Sequence, residues 1–196
     1  MLSISSHKLH GPKGAGCLYL KKGTKAGNIL YGGPQESKKR AGTENIPGIV
    51  GFGQAAELAA GRMTETSEYL NRLATKLREG IMADIPHTIP TGSLDNRVSG
   101  SVSVCFEFVE GESILLMLDS YGVMASSGSA CTSGSLEPSH VLLAIGLPHE
   151  TAHGSLRLTL GKDNTEEDVD FVLEILPKII GNLRKMSPLS GKGGSN

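Results

Sequence analysis

Several features common in chains of this size are missing from these 196 residues. Apolar runs last only a few residues, against the roughly 20 that a membrane span needs, so no transmembrane helix is expected. Neither sign of charge dominates: 19 Lys plus Arg face 20 Asp plus Glu, and the formal charge of -1 provides no broad basic field for nucleic acid or anionic lipid. Cysteine is scarce. Cys17, Cys105 and Cys131 form no CxxC and are too few and too scattered for a disulfide framework or a four-cysteine zinc site, which favours a reducing compartment. His7 and Lys8 interrupt the stretch that a signal peptide would keep apolar, and a cytoplasmic location is expected. Tryptophan is absent and aromatic residues make up 4%.

Glycine, by contrast, is abundant at 26 residues, close to twice its ordinary share, which points to tight turns and close backbone approaches. The pattern along the chain predicts an α/β protein. Met1 to Ile4 reads as the end of a strand, Ser5 to Gly16 as a turn-rich run, and Cys17 to Leu20 as a short strand. Lys21 to Gly42 has no period and reads as a long functional loop, or a hairpin plus loop. Helical spacing begins near Ile46, is expected to break at Gly61, and resumes with Leu70, Leu73, Leu77 and Ile81 before Pro86. Val102, Val104, Phe106 and Phe108 alternate as a half-buried strand, Ile114 to Leu118 reads as a short helix, and Val123 to Ala125 as a brief strand. Pro138 is placed to open a helix reaching Ile145, and Leu156, Leu158 and Leu160 alternate as another strand. Thr165 and Asp168 have the spacing of a capping box for a last helix, in which Pro177 predicts a kink or break near Glu174. Residues 190–196 are expected to be a disordered tail.

Four groups of residues could carry chemistry. Ser5, Ser6, His7 and Lys8 precede a Gly-rich turn (GPKGAG) whose hydroxyls and amides could cradle a phosphate, while a lysine there could form a Schiff base with a carbonyl cofactor; the bland reading is an exposed lysine beside a turn. Phosphate-loop spacing fails, since Gly16 is followed by Cys17 and not by lysine. Cys131 lies within Ser126 to Ser135, a run of small polar residues that cannot pack a core, where a nucleophile that must travel could be placed. Cys17 and Cys105 fall in apolar or alternating strands and read as buried structural thiols. His149-Glu150-Thr151-Ala152-His153 matches the HExxH zinc-protease pattern, but only about one helical turn fits between Pro148 and Gly154 and no third ligand is spaced for it, so no metal site is expected. Arg157 alternates with leucines and should point to the opposite face of its strand, where a guanidinium can grip a carboxylate.

The motifs SSHKLHGPKGAG, RAGTEN, SSGSACTSGSLEPS and HGSLRLTLG, in this order, resemble the cysteine desulfurases of the NifS/IscS type, pyridoxal 5'-phosphate (PLP) enzymes of the class V aminotransferase family. The resemblance runs from residue 1 to about Leu189. It implies that Lys8 is the Schiff-base lysine, that Ser5 and His7 contact the PLP phosphate, and that Thr43 reaches the phosphate of the neighbouring subunit in a homodimer. It further implies that Cys131 takes sulfur from PLP-bound L-cysteine as a persulfide, passed to an iron-sulfur scaffold or other acceptor, and that Arg157 binds the substrate carboxylate. Ser6 stands where Gly or Ala is common.

In that family about half of the enzyme lies upstream of the lysine, so the chain resembles the C-terminal half of the aspartate aminotransferase-like, type I fold. Residues 1–60 correspond to a remnant of the large PLP-binding domain, 61–84 to a connecting helix, and 85–189 to the small α/β domain with the cysteine loop. Activity of this chain alone is expected to be absent or very weak, the alternatives being half of an enzyme that regains function with a separate N-terminal partner and a truncated gene product. The competing expectations are a non-catalytic sulfur-carrier or interaction module and, ranked below both, a zinc peptidase built on the HExxH match.

Overall fold

The structure, a computed structural model, describes residues 1–127 and 137–187. It divides into two compact units, Met1–Thr64 and Glu65–Asn196. No helix among the described residues is long and apolar enough to cross a membrane.

The first unit opens with a hairpin. Strand β1 (Leu2–Ser5) pairs antiparallel with β2 (Gly16–Tyr19), from Leu2 opposite Tyr19 to Ser5 opposite Gly16. The ten residues between them are shaped by backbone hydrogen bonds: Ser6 N–H donates to the Ala15 carbonyl at 3.0 Å, and Gly11 N–H to the Ser6 carbonyl at 3.0 Å. A 3-10 turn, Ser6–Leu9, occupies the first part and ends at His10, whose φ of 61° is left-handed. The loop that follows holds one short helical turn, α1 (Gln35–Lys38), in which Glu36 and Ser37 are left-handed, at φ of 48° and 54°. Asn45 then accepts the Gly48 amide on its side chain at 3.2 Å, as a helix-capping residue does, and α2 (Ile46–Asp84) begins.

Helix α2 runs unbroken for 39 residues, so the break expected at Gly61 does not occur. A helical glycine keeps its N–H and C=O and costs only about 1 kcal/mol relative to alanine, too little to end a helix flanked by good formers.

The first unit has almost no apolar interior. Ala55 is its one buried apolar side chain among the described residues, while Leu2, Leu18, Tyr19, Ile29, Tyr31 and Val50 are exposed, Ile29 to 91%. Cys17, expected in a buried strand, is exposed because neither face of the hairpin is covered. Backbone hydrogen bonds, not burial, give this unit its form.

The second unit is built the opposite way, around a three-stranded antiparallel sheet in the order β3 (Thr88–Pro90), β4 (Ser101–Phe106), β5 (Ser155–Thr159). Strand β3, three residues long and containing Pro90, carries too little pattern to be read from sequence. The inward face of β4 presents Val102, Val104 and Phe106 to one core, shared with Leu73, Leu77 and Ile81 of α2, with Ile114 and Leu118 of α3 (Gly111–Ser120), and with α6 (Glu166–Met186). Gly80 lets α6 come close, since a Cβ there would lie 2.6 Å from Leu173. The outward face buries Cys105 with Leu142 of α4 (His140–Ala144) and Ala152 of α5 (His149–His153).

Helix α6 carries the capping box: Asp168 N–H donates to Thr165 Oγ1 at 3.3 Å and Thr165 N–H to the Asp168 carboxylate at 3.0 Å. The Thr165 backbone N–H, and after it the Asn164 side-chain amide, hold the pKa of the Asp168 carboxyl below its ordinary value. The helix passes through Pro177 without a break. Only one backbone bond is lost there, and Val169, Val172, Leu176, Ile179 and Ile180 bury an apolar stripe on both sides of it.

Other boundaries shift. Strand β4 ends at Phe106, and Phe108 takes a left-handed φ of 68° in the following turn. Helix α4 begins at His140, two residues beyond Pro138. Val123 to Ala125 forms no strand; pairing is confined to an isolated bridge between Ser126 and Arg157.

Two measurements check this division. Amides of β4, β5 and α6 should exchange with deuterium at least about 100-fold more slowly than those of β1 and β2, because protection follows buried packing. Thr165→Ala should lower the stability of the second unit by about 1 kcal/mol in chemical denaturation, the ordinary cost of a lost N-cap.

Candidate functional site

The 3-10 turn gathers three of the predicted residues. Ser5 is the last residue of β1 and half-buried; His7 and Lys8 project from the turn and are exposed; Ser6, between them, is buried. The hairpin fixes where the turn begins and the Ser6 hydrogen bonds fix how it closes. A hydroxyl, an imidazole and an amine therefore lie within four residues on one short rigid segment, a donor set suited to a phosphate beside a carbonyl.

Thr43 belongs to the same unit and is exposed. Its carbonyl accepts a hydrogen bond from Arg40 Nη1 at 3.2 Å, and the same nitrogen donates to the Gly42 carbonyl at 3.0 Å. Gln35 Oε1 accepts the Gly42 amide at 3.2 Å, so residues 35–43 are tied into one turn that presents Thr43.

Arg157 belongs to the second unit. It lies on β5 opposite Ser103, between Leu156 and Leu158, whose side chains enter the main core; alternation puts Arg157 on the other face, the side predicted from the leucine pattern. Its Nε is buried without a hydrogen-bond partner among the described residues. A buried guanidinium donor is costly to leave unpaired, and a carboxylate is the acceptor that matches the guanidinium fork. The Arg157 backbone has a second task. Its N–H donates to the Ser126 carbonyl at 2.7 Å and its carbonyl accepts the Ser126 N–H at 3.1 Å. The chain segment leading to residues 128–136 is thus fastened to the arginine itself. Cys131 lies outside the described residues. The Ser126 bridge was not legible in the sequence, because a serine in a small-polar run carries no pairing pattern.

The remaining cysteines differ in reactivity. Cys105 is fully buried and its thiol is pushed up to about 11 by burial, whereas Cys17 is exposed. The HExxH match occupies α5, a single turn in which the His149 and His153 rings meet edge to face at 4.8 Å and His149 Nε2 lies 3.4 Å from Glu137 Oε2. No group of three metal-ligating side chains gathers among the described residues. A cleft of about 620 Å³ in the second unit, lined by Glu107, Phe108, Glu110, Glu150, His153 and Leu183 among others, takes in part of the HExxH match but not Lys8, Ser5, His7, Thr43 or Arg157.

The mixed α/β fold is that of the PLP-dependent fold type I enzymes. The comparisons give the family. The profile of the aminotransferase class-V family matches residues 1–172, and the chain belongs to that family. It is 55% identical over 192 residues to the cysteine desulfurase IscS of Methanosarcina thermophila, covering 98% of this chain and 47% of that protein. It is 50% identical over 194 residues to the cysteine desulfurase NifS of Azotobacter vinelandii, covering 98% and 48%. Among solved structures, a NifS-like protein superposes with a TM-score of 0.79 at 35% identity, over 92% of this chain and 46% of the other. A NifS-like protein from Rickettsia africae gives 0.81 at 27%, over 91% and 47%. The chain spans about half the length of the curated relatives it matches. Class V aminotransferases are PLP-dependent, and the Ser5, His7 and Lys8 side chains fit a phosphate and an aldehyde of that kind.

The thiols supply a test. In the native chain iodoacetamide at pH 8 should alkylate Cys17 and leave Cys105 unmodified, as read by peptide mass spectrometry. Because the folded state holds Cys105 protonated beyond the ordinary 9.0 of a thiol, folding stability should fall as pH rises from about 9 towards 11, where the unfolded chain alone ionises. Cys105→Ser should flatten that part of the pH–stability curve.

Proposed function

We propose that this chain is the part of a PLP-dependent cysteine desulfurase that holds the lysine, the carboxylate grip and the sulfur nucleophile, and that it becomes active with polypeptide equivalent to the other half of its relatives. The observation that carries the proposal is the buried Nε of Arg157, which has no hydrogen-bond partner among the described residues, in a chain that also presents an imidazole and an amine on one turn and a hydroxyl just before it. The names of the relatives point to the same reaction. In this reading residues 1–60 are the remnant of a large cofactor domain, 61–84 a connecting helix and 85–189 the small domain. The bare apolar surface of the first unit fits a remnant whose neighbours lie in the other half.

PLP, when bound, supplies an electron sink for the substrate carbon skeleton. Ser5 and His7 donate hydrogen bonds to its phosphate, Thr43 does so across a homodimer, and Arg157 holds the carboxylate of L-cysteine. Lys8 takes the α proton from the substrate and returns a proton to the product. The Cys131 thiolate attacks the substrate sulfur: an S–S bond forms, the S–Cβ bond breaks, and its electron pair stays on the carbon skeleton, which leaves as alanine after protonation. The step is redox-neutral, with thiolate and L-cysteine giving persulfide and alanine. The persulfide passes to an iron-sulfur scaffold or another acceptor, and the protein works in the cytoplasm.

The test joins this chain with the first half of the Methanosarcina thermophila relative, adds PLP, and records visible absorption before and after L-cysteine, with alanine and sulfide assays. A cofactor band present in the wild type and lost in Lys8→Ala, with one alanine formed per sulfur released, is expected. Arg157→Ala should raise KM for L-cysteine by about 100-fold, the scale of a lost charge-assisted pair. Cys131→Ala should keep the band and lose persulfide. A band independent of Lys8, or persulfide formed without PLP, would overturn the reading; the latter would favour a sulfur-carrier module.

A further inference from the structure

The turn that carries Lys8 contains a contact to which the family motif assigns no role. Ser6 is completely buried, and its Oγ has no hydrogen-bond partner among the described residues. A buried hydroxyl without a partner gains nothing from hydrogen bonding, so its place has to be explained by what it touches. It faces Gly11. A Cβ built on Gly11 would overlap Ser6 Oγ and would lie 3.0 Å from Ala55 Cβ and 3.2 Å from the Ser6 carbonyl oxygen. Gly11 does not have the left-handed φ found at Gly14 and Gly42, so lack of space, not backbone conformation, demands glycine at this position.

The next residue extends the contact. A Cβ on Gly51 would lie 2.9 Å from Pro12 Cγ, and Gly51 and Ala55 are four residues apart on one face of α2. Gly11 and Pro12 therefore rest on two small positions of the helix, with the Ser6 side chain pressed against Gly11 from the turn. The backbone closes the same unit, because the Ser6 carbonyl accepts the N–H of both His10 and Gly11.

We propose that Ser6, Gly11 and Ala55 form a steric latch that fixes the 3-10 turn against α2 and so sets the direction of the Lys8 amine. Ser6 is a positioning residue that acts through packing: it is buried and its Oγ fills the space that a side chain at position 11 would need. The importance of the latch for catalysis rests on the reading of Lys8 as the cofactor lysine; the latch itself does not.

The experiment uses the full chain and the variants Gly11→Ala, Ser6→Ala and Ser6→Ala/Gly11→Ala. Limited trypsin digestion is read by mass spectrometry as cleavage after Lys8, with cleavage after Lys25 as the internal reference and cleavage after Lys162 reporting the second unit. Cleavage tracks the population in which the turn is open. Gly11→Ala should raise cleavage after Lys8 about tenfold and leave Lys162 unchanged, Ser6→Ala alone should stay within about twofold of wild type, and the double variant should return to within about threefold, because removing Oγ removes the overlap. Gly11→Ala behaving as wild type, or a double variant no better than Gly11→Ala, would overturn the latch. In parallel, each variant joined to the complementing half is treated with PLP and borohydride, and the labelled lysine is mapped. Loss of Lys8 labelling in Gly11→Ala with recovery in the double variant is expected. A latch that follows the digestion pattern while label never reaches Lys8, even in wild type, would sink the cofactor reading and leave the latch standing.

Discussion

The register between β4 and β5 is the constraint on which the second unit depends. Val102 lies opposite Leu158 and Val104 opposite Leu156, so both strands commit the same alternate positions to the core beneath α2, α3 and α6. Side chains alternate with a period of two, and a slip of one residue would drive the Arg157 guanidinium into that core and expose two leucines. Burial of a charge without a partner is far more costly than any gain from repacking. The same register that builds the core therefore holds Arg157 on the opposite face, and the Ser126 bridge then fastens the approach to the Cys131 segment to that residue. Packing, Arg157 and the Ser126 bridge share one strand.

The first unit is organised by a different balance. One buried alanine cannot offset the conformational entropy of 64 residues, and its form comes from the hairpin ladder, the Ser6 hydrogen bonds and close seating on α2. Such a unit places a few side chains accurately over a short distance, as it does with Ser5, His7 and Lys8. It leaves a large apolar surface bare, and relatives of about twice the length show that the family builds its enzymes with more chain than this.

Much of the second unit was legible because burial and periodicity agree there. Leu73, Leu77 and Ile81 read as a helix face and Thr165 with Asp168 as a helix start, and each does in the structure what its spacing implies; the strand read from Val102 to Phe108 is real but ends at Phe106. The misses have a common cause. Gly61 and Pro177 are single weak positions inside long helices, and a cost of one residue does not break a cooperative element; at Pro177 the apolar stripe is also buried on both sides. Cys17 failed the other way: its strand is real, but strand propensity says nothing about whether a second layer covers it.

The sequence by itself determined the family, the longer helices and strands β4 and β5, and which residues could carry chemistry, because motifs and hydrophobic periods are local and survive without knowledge of neighbours. The tertiary structure decided what those residues have around them: the burial of Arg157 Nε without a partner among the described residues, the raised thiol of Cys105, the exposure of Cys17 and the close approach of Ser6, Gly11 and Ala55. Each of these depends on atoms distant in sequence that remove water or occupy space, and burial of that kind is a property of the packed chain that no spacing rule contains.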